Sequence, residues 1–326
     1  MLALSLCDRV VIISAPANTI ILGEHAVLHG YPALACALQQ RLWVALEATN
    51  DGFLWVNSQL TQYRAPLANI TDHPQLRFVL AAARRYRSSL TGLKITIHSD
   101  FSHTLGLGSS AAITVAMVAG LEQLLYGQYN LQKIMCTSLQ LVRYIQGSGS
   151  GCDLAASAYG GLIAYQTDPV QVTKLNLSAI ELSELPPMAL IYSGYKTPTS
   201  DVIAQVAQAA RNKPKYYAQL YKVMGRCVEL AIVALQEQSW STLAKHINHY
   251  HHLLQQLGVS DATLDRITDM GIKQYAMAAK VCGSGLGDCV FLLGQHQLHG
   301  WNQPQLALRI DSQGLRQELD WPESGK

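Results

Sequence analysis

A chain of mixed strands and helices, divided into two units, is what the sequence predicts, and three observations carry that reading. Its 326 residues are enough for two domains of ordinary size. Short β-branched runs alternate with longer helical stretches along the whole length. A polar segment ending in Leu185-Pro186-Pro187 interrupts them past the middle and marks the boundary. The composition, 49% hydrophobic and 14% charged, is that of a globular protein. A net charge of +2 with no basic run argues against a nucleic-acid surface. Seven scattered cysteines, an odd number with no CxxC pair, argue against a disulfide framework and for a reducing compartment. No apolar run approaches the ~20 residues that span a bilayer, and the N-terminus lacks a signal-peptide pattern. The expectation is a cytoplasmic protein that binds neither nucleic acid nor membrane.

Taken in order, Arg9-Val10-Val11-Ile12-Ile13 reads as a strand, with Ser14-Ala15-Pro16-Ala17-Asn18 expected to break it. Further strands are expected at Leu42 to Ala48, Leu54-Trp55-Val56 and Lys94 to His98, and a helix over 75–90. Residues Ser110 to about Tyr126 read as a buried helix, because Ala111 to Ala119 is small and apolar throughout. Helices follow over 131–146 and from Asp153 to Tyr159, where Gly160-Gly161 stops the second. Strands at Leu162 to Tyr165, Met188 to Tyr192 and Cys289 to Leu293 bracket four helices, near 200–211, 215–237, 240–257 and 261–273.

Chemistry is concentrated in three glycine clusters, Gly106/Gly108, Gly147/Gly149/Gly151 and Gly283/Gly285/Gly287. The Walker spacing is absent, and no cluster has the dinucleotide fingerprint in a βαβ unit. The first cluster runs Leu105-Gly106-Leu107-Gly108-Ser109-Ser110-Ala111 straight into the apolar helix, with the serines placed as its N-cap. Glycine permits close backbone approach, and a helix start offers unpaired N–H groups and the positive end of the dipole, so the segment suits phosphate. Asp153, just before a helix, reads from sequence alone as a helix cap or as an acid–base residue. The histidines at 246, 249, 251 and 252 lack the cysteine or carboxylate partners of a zinc site and read as a solvated helix face.

Three segments in this order resemble the GHMP kinase superfamily: Ser14–Asn18 through Gly23-Glu24-His25 to Gly30, then Gly106 to Ala112, then Lys280-Val281-Cys282-Gly283-Ser284-Gly285-Leu286-Gly287-Asp288-Cys289. The resemblance implies an α+β, two-domain GHMP kinase fold. A ribosomal-protein-type N-terminal domain would cover residues 1–184 and a ferredoxin-like C-terminal domain residues 185–326. It implies ATP and Mg²⁺, with Leu105 to Ala111 holding the nucleotide phosphates and the Ser110 hydroxyl on the metal. Asp153 would be the catalytic base, and Asn18, Glu24, His25, Gly283, Ser284 and Gly285 would face a small hydroxy-acid substrate. Gly23-Glu24-His25-Ala26-Val27 and Leu253 to Ser260 are similar to the mevalonate kinase branch, which implies phosphorylation of the mevalonate hydroxyl. Gly149 to Ala156 and Gly287-Asp288-Cys289 are more similar to phosphomevalonate kinases. Relatives are often homodimers, and the resemblance extends that expectation here.

Two departures stand out. The mevalonate branch usually has lysine where this chain has Asn18, and a glutamate Mg²⁺ ligand where it has Leu141 to Tyr144. A neutral amide cannot lower a neighbouring carboxyl's pKa as a lysine does. Lys196 is therefore expected to supply the missing cation, with Arg143 as a second candidate. A weakly catalytic nucleotide sensor is the alternative these departures motivate.

Overall fold

The computed structural model describes residues 9–102, 106–175, 184–274, 276–294 and 301–322. The strands are β1 (Val10–Leu22), β2 (Ala33–Thr49), β3 (Phe53–Ser58), β4 (Gln62–Pro66), β5 (Gly92–Ser99), β6 (Leu162–Thr167), β7 (Val170–Leu175), β8 (Met188–Tyr192), β9 (Ala278–Val281), β10 (Cys289–Leu293), β11 (Gln305–Leu308) and β12 (Arg316–Glu318). The helices are α1 (Arg77–Tyr86), α2 (Ser109–Tyr126), α3 (Leu131–Gln146), α4 (Cys152–Tyr159), α5 (Thr199–Asn212), α6 (Pro214–Gln236), α7 (Trp240–Leu257) and α8 (Ala262–Gln274).

They form two layered units. The larger sheet runs β12-β1-β2-β5-β3-β4, with β6 on β2 and β7 on β6. Its pairings are antiparallel except β3 with β5. Helix α2 packs on β1 and β2, with α1, α3 and α4 around it. It is apolar all round rather than amphipathic, as a helix enclosed on every side must be. By length and composition α2 could cross a membrane, yet it lies inside this core. The smaller sheet runs β11-β8-β10-β9, entirely antiparallel, with α7 and α8 packed on β9. This is the α+β, two-unit architecture expected.

The expected break at Ser14–Asn18 does not occur. Strand β1 runs through it, and the register against β2 slips between Pro16 and Asn18. Proline lacks a ladder donor and is tolerated at such a bulge. The bulge frees the Asn18 N–H, which donates to the Leu107 carbonyl at 3.1 Å. The chain's end also departs from a simple division at 184/185. Strand β12 returns to the large sheet and pairs antiparallel with β1. Buried Arg41 holds the returning segment through Asp311 and the Gly314 carbonyl. Strands β4, β7, β9, β11 and β12, short or mostly exposed, were not anticipated.

Candidate active site

Between the two units lies a cleft of about 630 Å³. Its phosphate-suited wall is the start of α2. Gly108, not a serine, is the N-cap, in the left-handed region at φ 67°, and no side chain caps the helix. Ser109 and Ser110 therefore stand in the first turn, where amide N–H groups have no intrahelical partner. Gly106, Gly108, Ser109, Ser110 and Ala111 all line the cleft. The two glycines are enforced by close approach: a Cβ on Gly108 would lie 2.1 Å from Asn18 Nδ2, and one on Gly106 2.4 Å from Asp288 Oδ2.

Asp153 faces this turn from α4. Gly151 is the N-cap of that helix, so Asp153 is a first-turn residue and the capping reading is excluded. It lines the cleft with part of its surface open. Burial first, then the nearby Glu24 charge, push its pKa up to about 6, and Lys196 opposes them. That value suits a base working near neutral pH. Lys196 also lines the cleft, 2.8 Å from Asp288 Oδ2. Its loop is tied to the third glycine turn, Gly283 to Gly287: the Asp288 N–H donates to the Tyr195 carbonyl at 2.7 Å, and the Thr197 hydroxyl to the Leu286 carbonyl at 2.5 Å.

Glu24 and His25 line the same cleft, with Gly283 and Ser284. His25 sits at φ 60°, a strained position for a side chain of this size. Its Nε2 is 2.9 Å from the Ser284 carbonyl, which can only accept, so Nε2 carries the hydrogen. Burial holds the imidazole's pKa below its usual range, so the ring is neutral and Nδ1 is an acceptor.

Some expected residues lie elsewhere. Asn18 is buried beneath the phosphate turn, its Nδ2 donating to Ser157 Oγ at 2.9 Å, and does not line the cleft. Leu107 is buried behind the turn, and Gly285 packs on Val259. Leu105 falls outside the described residues. Arg143 is exposed and donates to the Gly149 carbonyl at 3.1 Å. The histidine row on α7 is not wholly solvated, since His251 is buried beside Asp265. Sequence reasoning passed over Lys280 and Asp288 as site residues, although both stand in the third motif. It also missed Arg77, which lines the cleft from the start of α1.

Among the described residues, no group of three or more His, Cys, Asp or Glu side chains could hold a metal. Mg²⁺ does not require such a cage, because it keeps several waters and takes phosphate oxygens. The Ser110 hydroxyl, a hard oxygen donor on the cleft wall, fits that partial shell.

Residues 77–161 match the family model for the GHMP kinases N terminal domain, and residues 231–300 that for the GHMP kinases C terminal domain. Residues 7–48 also match the galactokinase galactose-binding signature. The chain belongs to the GHMP kinases, ATP-dependent enzymes that phosphorylate an alcohol. A mevalonate kinase from Pyrococcus furiosus is 28% identical over 310 residues, covering 88% of this chain and 90% of that protein. The crystal structure of a Lin0012 protein from Listeria innocua superposes with a TM-score of 0.83 at 20% identity, over 96% of this chain and 100% of the other. The Methanococcus jannaschii mevalonate kinase structure gives 0.77 at 23%, over 93% and 99%.

Proposed function

We infer that this enzyme transfers the γ-phosphoryl group of ATP to the hydroxyl of mevalonate. The observation that carries the chemistry is the meeting, in one cleft, of the capless α2 N-terminus with the Asp153 carboxylate. Phosphoryl transfer needs mainly positioning and charge stabilisation. First-turn amides at Ser109 and Ser110 are suited to phosphate oxygens. Asp153, ionised above its pKa of about 6, accepts the proton of the attacking hydroxyl. Lys196 supports the ionised form and, as a cation on the cleft wall, is available to offset charge on the transferred group. Mg²⁺, held by Ser110 and nucleotide phosphates, would neutralise charge on the polyphosphate. Glu24 and neutral His25 offer acceptors for the substrate's hydroxyl groups.

Mevalonate as acceptor rests on the similarity to mevalonate kinases along most of the chain. The galactose-binding signature over residues 7–48 favours a second reading, a sugar acceptor. A coupled ADP-release assay with mevalonate, phosphomevalonate and galactose separates them. Mevalonate should be turned over with by far the highest kcat/KM, and Asp153→Asn should lower that turnover by roughly a thousandfold. Faster turnover of galactose or phosphomevalonate would refute the assignment of substrate.

A further inference from the structure

The substrate side of the cleft contains a buried ion pair of which the chemistry above uses only the Glu24 half. Lys280 on β9 is 0% exposed and Glu24 3%, with Nζ 2.5 Å from Oε1. Lys280 also donates to the Val281 carbonyl at 2.8 Å. Glu24 Oε2 is equally buried, yet no protein atom bonds it. A buried carboxylate oxygen without a partner is costly, and native proteins satisfy nearly all such atoms. Here the bare oxygen belongs to a residue that lines the cleft.

The surrounding contacts fix where that oxygen stands. The Tyr250 hydroxyl on α7 donates to the Glu24 carbonyl at 2.8 Å. His25 Nε2 donates to the Ser284 carbonyl at 2.9 Å. With Lys280, three groups of the smaller unit grip the Gly23–His25 turn of the larger one. Among the described residues Lys280 is the one side chain that bonds the carboxylate, with backbone N–H groups at Glu24 and Gly283 close enough to favour its charged form.

We propose that Lys280 is a positioning residue for the acceptor alcohol: by binding Glu24 through Oε1 it favours the charged carboxylate against the cost of burial and holds Oε2 where it can accept a substrate hydroxyl. The inference rests on the kinase reading above and extends it to a residue that never touches substrate. Burial raises the Glu24 pKa and Lys280 opposes that rise; without the ammonium the carboxyl would hold a proton more readily, and an acceptor would become a donor. The hydroxyl would lose its charged partner while the nucleotide side stayed intact.

A double-mutant cycle on the full chain tests this, with KM read separately for mevalonate and for ATP. Lys280→Met should raise KM for mevalonate by about tenfold or more, the scale of a hydrogen bond to a charged group, with KM for ATP within about twofold. Glu24→Gln should do the same, and the double variant should be no worse than Glu24→Gln alone, because one interaction is being removed twice. The double variant buries no unpaired charge, so it keeps the test open if Lys280→Met does not fold; a wild-type KM for mevalonate in it overturns the proposal. So does an unchanged KM in Lys280→Met, or a double penalty equal to the product of the singles. Wild-type enzyme idle on mevalonate, phosphomevalonate and galactose would overturn the kinase reading and this inference together. Turnover with an unmoved KM overturns only the role of Lys280.

Discussion

At Asp153 the demands of catalysis and of stability oppose each other. Its pKa is raised from 3.8 to about 6, by burial first. Between those values the folded chain holds a proton that the unfolded chain has released. The associated stability is complete below about pH 4 and is lost as pH rises through 6. Asp153→Asn, which never carries the charge, should therefore be more stable than wild type at pH 7–8, by about 1–3 kcal/mol. Denaturant titrations at pH 4 and pH 8 would check this, the gain fading at the lower pH. Turnover should fall by roughly a thousandfold in the same variant, the range of a lost general base. In wild type, kcat/KM should rise with pH through about 6 as the base ionises. Aspartate with its flanking motif was legible in the sequence; its elevated pKa was not, because Glu24, a principal cause, is distant along the chain.

At the scale of elements, the bulge in β1 and the return of β12 matter most. The slip between Pro16 and Asn18 directs the Asn18 N–H to Leu107 and its side chain under Gly108, so the strand braces the phosphate turn from behind. Proline and small residues suggested a loop, and only the pairing with β2 shows why a strand continues. Strand β12 has three residues, and beside its short ladder to β1 a polar cluster secures the segment that leads into it. Arg41, 4% exposed, reaches Asp311, the Ser14 hydroxyl and the Gly314 carbonyl. Arg41→Ala should cost about 3 kcal/mol, since it leaves buried polar groups unpaired. Thermal unfolding would show the loss, and faster amide exchange at residues 311–318 would locate it. By contrast, helices α2, α3 and α6 to α8 lie within two residues of their expected limits, because long periodic runs and glycine stops are local signals.

On the scale of the whole molecule, the active site is made where two sheets meet. Asp153 and the phosphate turn belong to the larger unit, and Lys196, Ser284 and Asp288 come from the smaller. Lys196 acts across that junction, lowering the Asp153 pKa from the opposite side. Lys196→Ala should reduce kcat by about tenfold or more and shift the acid limb of the kcat/KM profile to higher pH, because the opposing charge is gone. A pH series of initial rates reads both effects. An unchanged limb would mean that the lysine sits too far from the base in the working enzyme.

By itself the sequence determined the order of elements, the glycine turn leading into an apolar helix, and the catalytic carboxylate with its motif. Those signals are written in adjacent residues, where periodicity, backbone freedom and capping operate. Tertiary structure alone decided that Asn18 supports the phosphate turn from beneath, that Lys280 meets Glu24, and that Lys196 is paired with Asp288 beside Gly106. Glu24 and Lys280 are separated by 256 positions. Charges so far apart in the chain interact only after folding has excluded the water between them, and no local pattern encodes that exclusion.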